Sequence, residues 1–232
     1  MLRGNAHLML ATCGIVLLAA CNGSTGEEHT NRQPSAAVST SASAMLSQPE
    51  LMTALITKDD LPPGFLRDTS LNDSDDEALS GCKELDAIED DGGNYAEASF
   101  MKGESGPFIS EGIGQAPSER EANEALNRVR DTMRNCRRFT VSNSEVGKVD
   151  IASSAIPFPK LGDETRAVRF DISIDGVKGA TLEAVVIQDG SNVILIVHGA
   201  AGSADTRFTE TLSGKALAKL RRQRALKAGQ NP

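Results

Sequence analysis

Histidine changes charge closest to neutral pH, so a search for acid–base chemistry starts there. The chain has three: His7, His29 and His198. His7 and His29 precede any segment with a core-forming pattern, which leaves His198 as the histidine of the foldable part. It is the simplest base for a hydrolytic site. No Gly-x-Ser-x-Gly elbow accompanies it, and no second His or Cys is spaced to share a transition metal with it. His198 therefore reads as structural or merely exposed; no catalytic residue is assigned, and no metal or cofactor is expected. Catalysis by carboxylates stays open, because 32 acidic residues offer many pairs that a sequence cannot locate. The acidic stretches 72–76 and 89–94 miss the ligand spacing of a calcium loop and read as a solvated helix start and a turn. Gly199-Ala200-Ala201-Gly202-Ser203 has the small residues of a strand-to-helix turn that could present amides to an anion. It lacks the lysine of a phosphate-binding loop and reads as a tight connection.

The four cysteines sort by position. Cys13 lies in an apolar run, Leu8 to Ala20, preceded by Arg3. That run is too short to span a bilayer and has the build of an export signal over residues 1–20. It ends Leu18-Ala19-Ala20-Cys21. Small residues before a cysteine suit a narrow peptidase site and match the bacterial lipobox. The segment resembles bacterial lipoproteins, in which the thiol, here that of Cys21, is diacylated and becomes the first residue of the mature chain. Residues 21–47 are rich in Ser, Thr, Ala and Gly without a hydrophobic period, as a flexible tether would be. The expected location is the extracytoplasmic face of the cell membrane, held by lipid. The formal charge of -8 becomes one more negative when Arg3 leaves with the signal, so acyl chains and not the protein surface must supply the attachment. Two Asn-x-Ser sequons, at Asn22 and Asn72, read as coincidence behind a bacterial signal. Cys82 and Cys136 remain, an even pair in an oxidising compartment. They form either one disulfide or two buried thiols; a bridge closing so long a loop contributes roughly 3–4 kcal/mol.

The elements that must position these residues begin near 48. A short helix from Pro49 to Thr57 starts on a proline and stops before Asp59-Asp60-Leu61-Pro62-Pro63-Gly64. A second helix is expected from Asp75 to Asp90, with Cys82 on its apolar side. Tyr95 to Lys102 and Pro107 to Gln115 read as a hairpin. Ser118-Glu119-Arg120-Glu121 is a capping box that opens the best-specified helix. Its stripe runs Ala122, Ala125, Leu126, Val129, Met133 and Cys136. From Phe139 the apolar period is two through Val197, with hairpin turns at Asp175-Gly176 and 189–192. A last helix runs from Ala204 to about Lys227, ending in Lys215, Lys219, Arg221, Arg222, Arg224 and Lys227 with no acid nearby in the sequence. Those cations read as complements of the helix dipole, with contact to anionic envelope polymer as the functional alternative. The whole is α+β: a single domain, 48–226, with one antiparallel sheet flanked by helices, and a polar tail at 227–232. Scarce aromatics, 3% of the chain, and the negative charge exclude the usual nucleic-acid partners.

Several of these marks occur in one order. The lipobox and tether come first, then Asp59-Asp60-Leu61-Pro62-Pro63-Gly64-Phe65 and a Cys in the following helix. A Cys at the end of the capped helix is next, and Asp189-Gly190-Ser191-Asn192-Val193-Ile194-Leu195-Ile196-Val197 precedes the last helix. In this order the chain resembles the mycobacterial lipoproteins related to the extracellular sensor domain of the kinase PknH. The resemblance implies an antiparallel sheet flanked by helices, a ligand-binding cleft and no enzyme. Family members commonly carry two disulfides, and this chain has cysteines for one. The expected function is that of a lipid-anchored, sensor-like binding domain for an envelope ligand. A modulator of another exported protein and an envelope hydrolase with an unrecognised site are the alternatives.

Overall fold

Where the apolar period is two, the computed structural model forms long neighbouring strands. It describes residues 45–69, 81–83, 94–103, 106–143 and 147–230. The segment expected to be an export signal, Cys21 and most of the helix expected over 75–90 lie outside them. In chain order the elements are α1 (Gln48–Ala54), a 3-10 turn (Lys58–Asp60), β1 (Phe65–Arg67), β2 (Asn94–Lys102), β3 (Phe108–Gln115) and α2 (Glu119–Asn135). Then come β4 (Arg138–Asn143), β5 (Gly147–Ala155), β6 (Glu164–Ile174), β7 (Val177–Asp189), β8 (Asn192–Ala201) and α3 (Thr206–Gln230).

All eight strands form one sheet, ordered β1-β2-β3-β8-β7-β6-β5-β4, with every neighbouring pair antiparallel. The α+β architecture expected from the sequence is the one observed. At Asp175-Gly176 both residues have positive φ, 49° and 80°, the backbone a two-residue hairpin needs to follow strand twist.

Helices cover both faces. Strand alternation sends Ile194 and Ile196 of β8 to one side, with Val185 and Ile187 of β7, where Leu212, Ala216 and Leu220 of α3 and Leu51 of α1 close the core. Val193, Leu195 and Val197 point to the other side, with Leu182 and Ala184, under Ala122, Leu126 and Val129 of α2. Each fully buried Val, Leu or Ile among them stabilises the fold by about 1.5–3 kcal/mol. The ordered core starts earlier than the expected tether boundary at 47: Leu46 is buried, its amide donates to Gln115 Oε1 at 2.8 Å, and its carbonyl accepts from Asn94.

Helix starts follow the sequence in part. At α1, Ser47 and Glu50 form a capping box. At α2, Ser118 Oγ accepts from the Glu121 amide at 3.3 Å, but the return arm of the expected box is absent. Glu121 instead sits 3.6 Å from Arg120, and its Oε2 is buried without a hydrogen bond.

Candidate functional site

His198 is not at the end of its strand. It lies inside β8, opposite Glu183 of β7 and Ile109 of β3, and is buried under α3. Its Nδ1 is 2.9 Å from Thr209 Oγ1, and that hydroxyl donates to Glu183 Oε2 at 2.7 Å. A hydroxyl has one proton, so with Thr209 donating to the carboxylate, Nδ1 of His198 carries hydrogen and donates to Thr209. Glu183 Oε1 also accepts from Arg169 at 2.6 Å and Thr206 at 2.6 Å. Burial pushes the Glu183 carboxyl up, but the bonds from Thr206, Arg169 and Thr209 outweigh it and hold its pKa below the usual value. Burial lowers the His198 pKa against the opposing charges of Glu183 and Asp205. The set joins a histidine, a hydroxyl and a carboxylate, but the hydroxyl is spent on the carboxylate and all three side chains are buried. It ties α3 to the sheet.

Gly199, Ala200 and Ala201 are strand residues rather than the expected turn. Glycine is required at 199 because the ring of its β3 partner, Phe108, occupies the space a Cβ would take. The basic end of the last helix, expected without acidic partners, has them. Lys219 pairs with Asp60 at 2.7 Å, Arg221 and Arg224 with Asp189 at 2.6 Å each, and Lys227 with Glu50 at 2.6 Å. These acids lie on distant parts of the chain, which is why inspection of the neighbouring sequence misses them. The acidic stretch 72–76 lies outside the described residues, as do all but Asn94 of 89–94, and Asn94 serves a core hydrogen bond. Among the described residues no group of three His, Cys, Asp or Glu side chains is placed to hold a metal, and no helix is long and apolar enough to cross a membrane. Cys82 and Cys136 stand at disulfide distance, 5.8 Å between Cα atoms, packed against Phe139.

One concavity combines access, an apolar floor and unsatisfied charge. It is a cleft of about 510 Å³ between the C-terminal half of α2 and strands β5 and β6. Val129, Met133 and Val168 supply apolar wall, and four arginines, Arg130, Arg134, Arg137 and Arg166, line it without any acidic residue. The helix contributes by spacing: positions 130, 133 and 134 fall on one face at steps of three and four, and Arg137 follows just beyond the helix end. A second, shallower cleft of about 380 Å³ on the other face, over β4 to β6, carries Asp150 and Asp171, both with partners. There Thr140 donates to Asp150 at 2.7 Å, and Lys178 pairs with Asp171 at 2.7 Å. The arginine-lined cleft was not legible beforehand; its signal, cations at 130, 134 and 137, looked like the solvated face of an amphipathic helix.

No family model matches the chain and no curated relative does. Solved structures do. The extracellular domain of PknH from Mycobacterium tuberculosis superposes with a TM-score of 0.53 at 12% identity, covering 76% of this chain and 97% of that one. An uncharacterised protein of Mycobacterium smegmatis, the Rv0999 ortholog, matches with a TM-score of 0.46 at 12% identity, over 75% of this chain and 100% of that one. The chain thus shares the fold of the PknH extracellular domain, as the order of its motifs implied.

Proposed function

We propose that this chain is an extracytoplasmic, non-enzymatic binding domain, carried on a lipid at Cys21, whose ligand enters the cleft between α2 and strands β5 and β6. The cleft itself carries the reading: it is open, walled by rigid elements and lined by polar groups around an apolar floor, the usual build of a small-ligand site. The fold shared with an extracellular domain supports the location. The buried state of His198, Thr209 and Glu183 supports binding over catalysis, because the best acid–base set faces the core.

The test uses a plug. Ala155 lines the cleft and is exposed, so Ala155→Trp fills the space without disturbing the core. Backbone amide spectra of the wild-type domain in envelope extract are expected to shift at Val129, Met133 and Val168, and those of the plugged variant to stay still. Shifts that persist in the variant place binding elsewhere. A chemically altered ligand recovered from the wild type alone would make the domain an enzyme.

A further inference from the structure

The basic side chains of this protein fall into two groups. Lys219, Arg221, Arg224 and Lys227 on α3 each meet a carboxylate within hydrogen-bond distance. Of the four cleft arginines, only Arg166 does. Arg130 and Arg134 share Asp131 at 3.6 and 3.8 Å, too far for a hydrogen bond, and Arg137 has no ion pair among the described residues. Arg130 Nε is buried and makes no hydrogen bond. Arg166, on the opposite wall, gives its Nε to Glu164 at 2.7 Å. Four guanidinium groups thus face two carboxylates, a local surplus of positive charge on a chain whose net charge is -8.

Cations repeated at four-residue spacing repel one another along a helix. The helix C-terminus offsets part of this for Arg134 in its last turn. It does nothing for Arg166, which reaches the same space from β6. A buried guanidinium nitrogen without a partner is unfavourable until an acceptor arrives.

We infer that the cleft binds an anion of the phosphate class, held by Arg130, Arg134, Arg137 and Arg166 with its uncharged body on Val129, Met133 and Val168. Guanidinium forks match phosphate oxygens two at a time, and only a group with oxygens in several directions meets forks approaching from a helix and a strand together. A planar carboxylate engages fewer of them. This inference rests on the cleft being the binding site and adds the chemistry of what it takes. The phosphate can be a soluble ester or the headgroup of an anionic lipid, since both present the same oxygens.

The experiment titrates the folded domain with inorganic pyrophosphate, with phosphatidylglycerol vesicles and with octyl glucoside as an uncharged control. Shifts are read at the arginine side chains and the cleft amides. Pyrophosphate is expected to move all four arginine signals and to bind at least tenfold more weakly to the Arg134→Gln/Arg137→Gln variant, with an effect that shrinks as salt rises. Both residues are exposed, so the variant keeps its fold. If vesicles bind the wild type and pyrophosphate displaces them, the source is lipid; if pyrophosphate binds and vesicles do not, it is a soluble ester. Equal pyrophosphate binding by wild type and variant overturns the inference. Cleft shifts with octyl glucoside or envelope extract but not pyrophosphate also overturn it, while leaving the cleft as a binding site. Silence of the cleft toward every probe removes both readings.

Discussion

The Ile56 amide donates to the Glu111 carboxyl at 2.5 Å, joining residues 55 positions apart. Ile56 lies just beyond α1 and Glu111 sits in the middle of β3, so one hydrogen bond docks the first helix on the sheet. Glu111 is wholly buried, and its second oxygen has no hydrogen-bond partner. Burial pushes its pKa up from 4.5 to about 8, only partly opposed by the Ile56 bond and the charge of Lys219. It is therefore protonated at neutral pH.

A carboxyl whose pKa rises on folding binds more protons folded than unfolded between 4.5 and about 8. Its contribution is complete below 4.5 and is lost as pH rises through 8. Integrated at about 1.4 kcal/mol per unit, the loss is on the order of 5 kcal/mol. Glu111→Gln keeps an oxygen for Ile56 and cannot ionise. Its stability is expected to stay flatter than the wild type's between pH 5 and 9, and to exceed it at pH 9. Parallel denaturation curves for the two proteins across that range would contradict the assignment.

Glu183 and His198 act on the acid side. The Glu183 pKa is depressed on folding, so its stabilisation is present above its unfolded value and lost as pH falls through the folded one. His198 is held neutral by burial, so its contribution is present above 6.5 and declines as pH falls below that. Glu183→Ala leaves Arg169 without its 2.6 Å partner and is expected to cost about 3–5 kcal/mol. Thr209→Val, which keeps the shape and removes the hydroxyl, should cost about 1–3 kcal/mol. Urea titration of both variants and their double checks the coupling: strictly additive losses would mean the bond between them carries nothing.

Gly199→Ala tests why the small residues follow His198. The added methyl meets the Phe108 ring and the two β strands must part locally. Overpacking of this kind costs about 1–3 kcal/mol. A melting temperature within a degree of wild type would show that the ring moves aside freely.

The sequence patterns that succeeded were periodic ones. Alternation from Phe139 onward and the stripe of α2 specify which residues must be buried, and burial determines strands and helix directly. The three-residue β1 was missed because Phe65-Leu66-Arg67 is too short to show a period. The partners of α3's cations were missed because Lys227 and Glu50 stand 177 positions apart, and only packing of α1 against α3 brings them together. The cleft was missed for the same reason: Arg166 belongs to a strand that no local reading joins to Arg134. His198 was placed at a strand end, since Gly199 looked like the start of a turn and not the seat of an aromatic ring; it lies buried inside β8.

The disulfide between Cys82 and Cys136 is expected to form in protein exported by its natural route. The two residues are buried together beside Phe139, and Cys136 ends α2 with its amide on the Thr132 carbonyl at 2.8 Å. That rigid end holds the thiol in place, and closing a loop of 54 positions stabilises the fold by roughly 3–4 kcal/mol. Non-reduced peptide mapping should find the linked pair, and Cys82→Ser/Cys136→Ser should unfold at lower urea. Two free thiols in the exported protein would remove the bridge.

Lipidation at Cys21 rests on Leu18-Ala19-Ala20-Cys21 at the end of an apolar run. Leu46 is fixed to Gln115 and Asn94. The chain's charge of -8 disfavours adhesion of its surface to anionic lipid, so any attachment is expected to come from acyl chains. Wild type expressed in a bacterial host should partition into detergent and gain the mass of a diacylglyceryl group on Cys21. Cys21→Ala should stay unprocessed and lose that mass, while its folded domain melts as before, because nothing in the core depends on the anchor. Processing of the variant at the same bond, with unchanged partitioning, would assign the segment to an ordinary signal peptide and leave the domain free of the membrane.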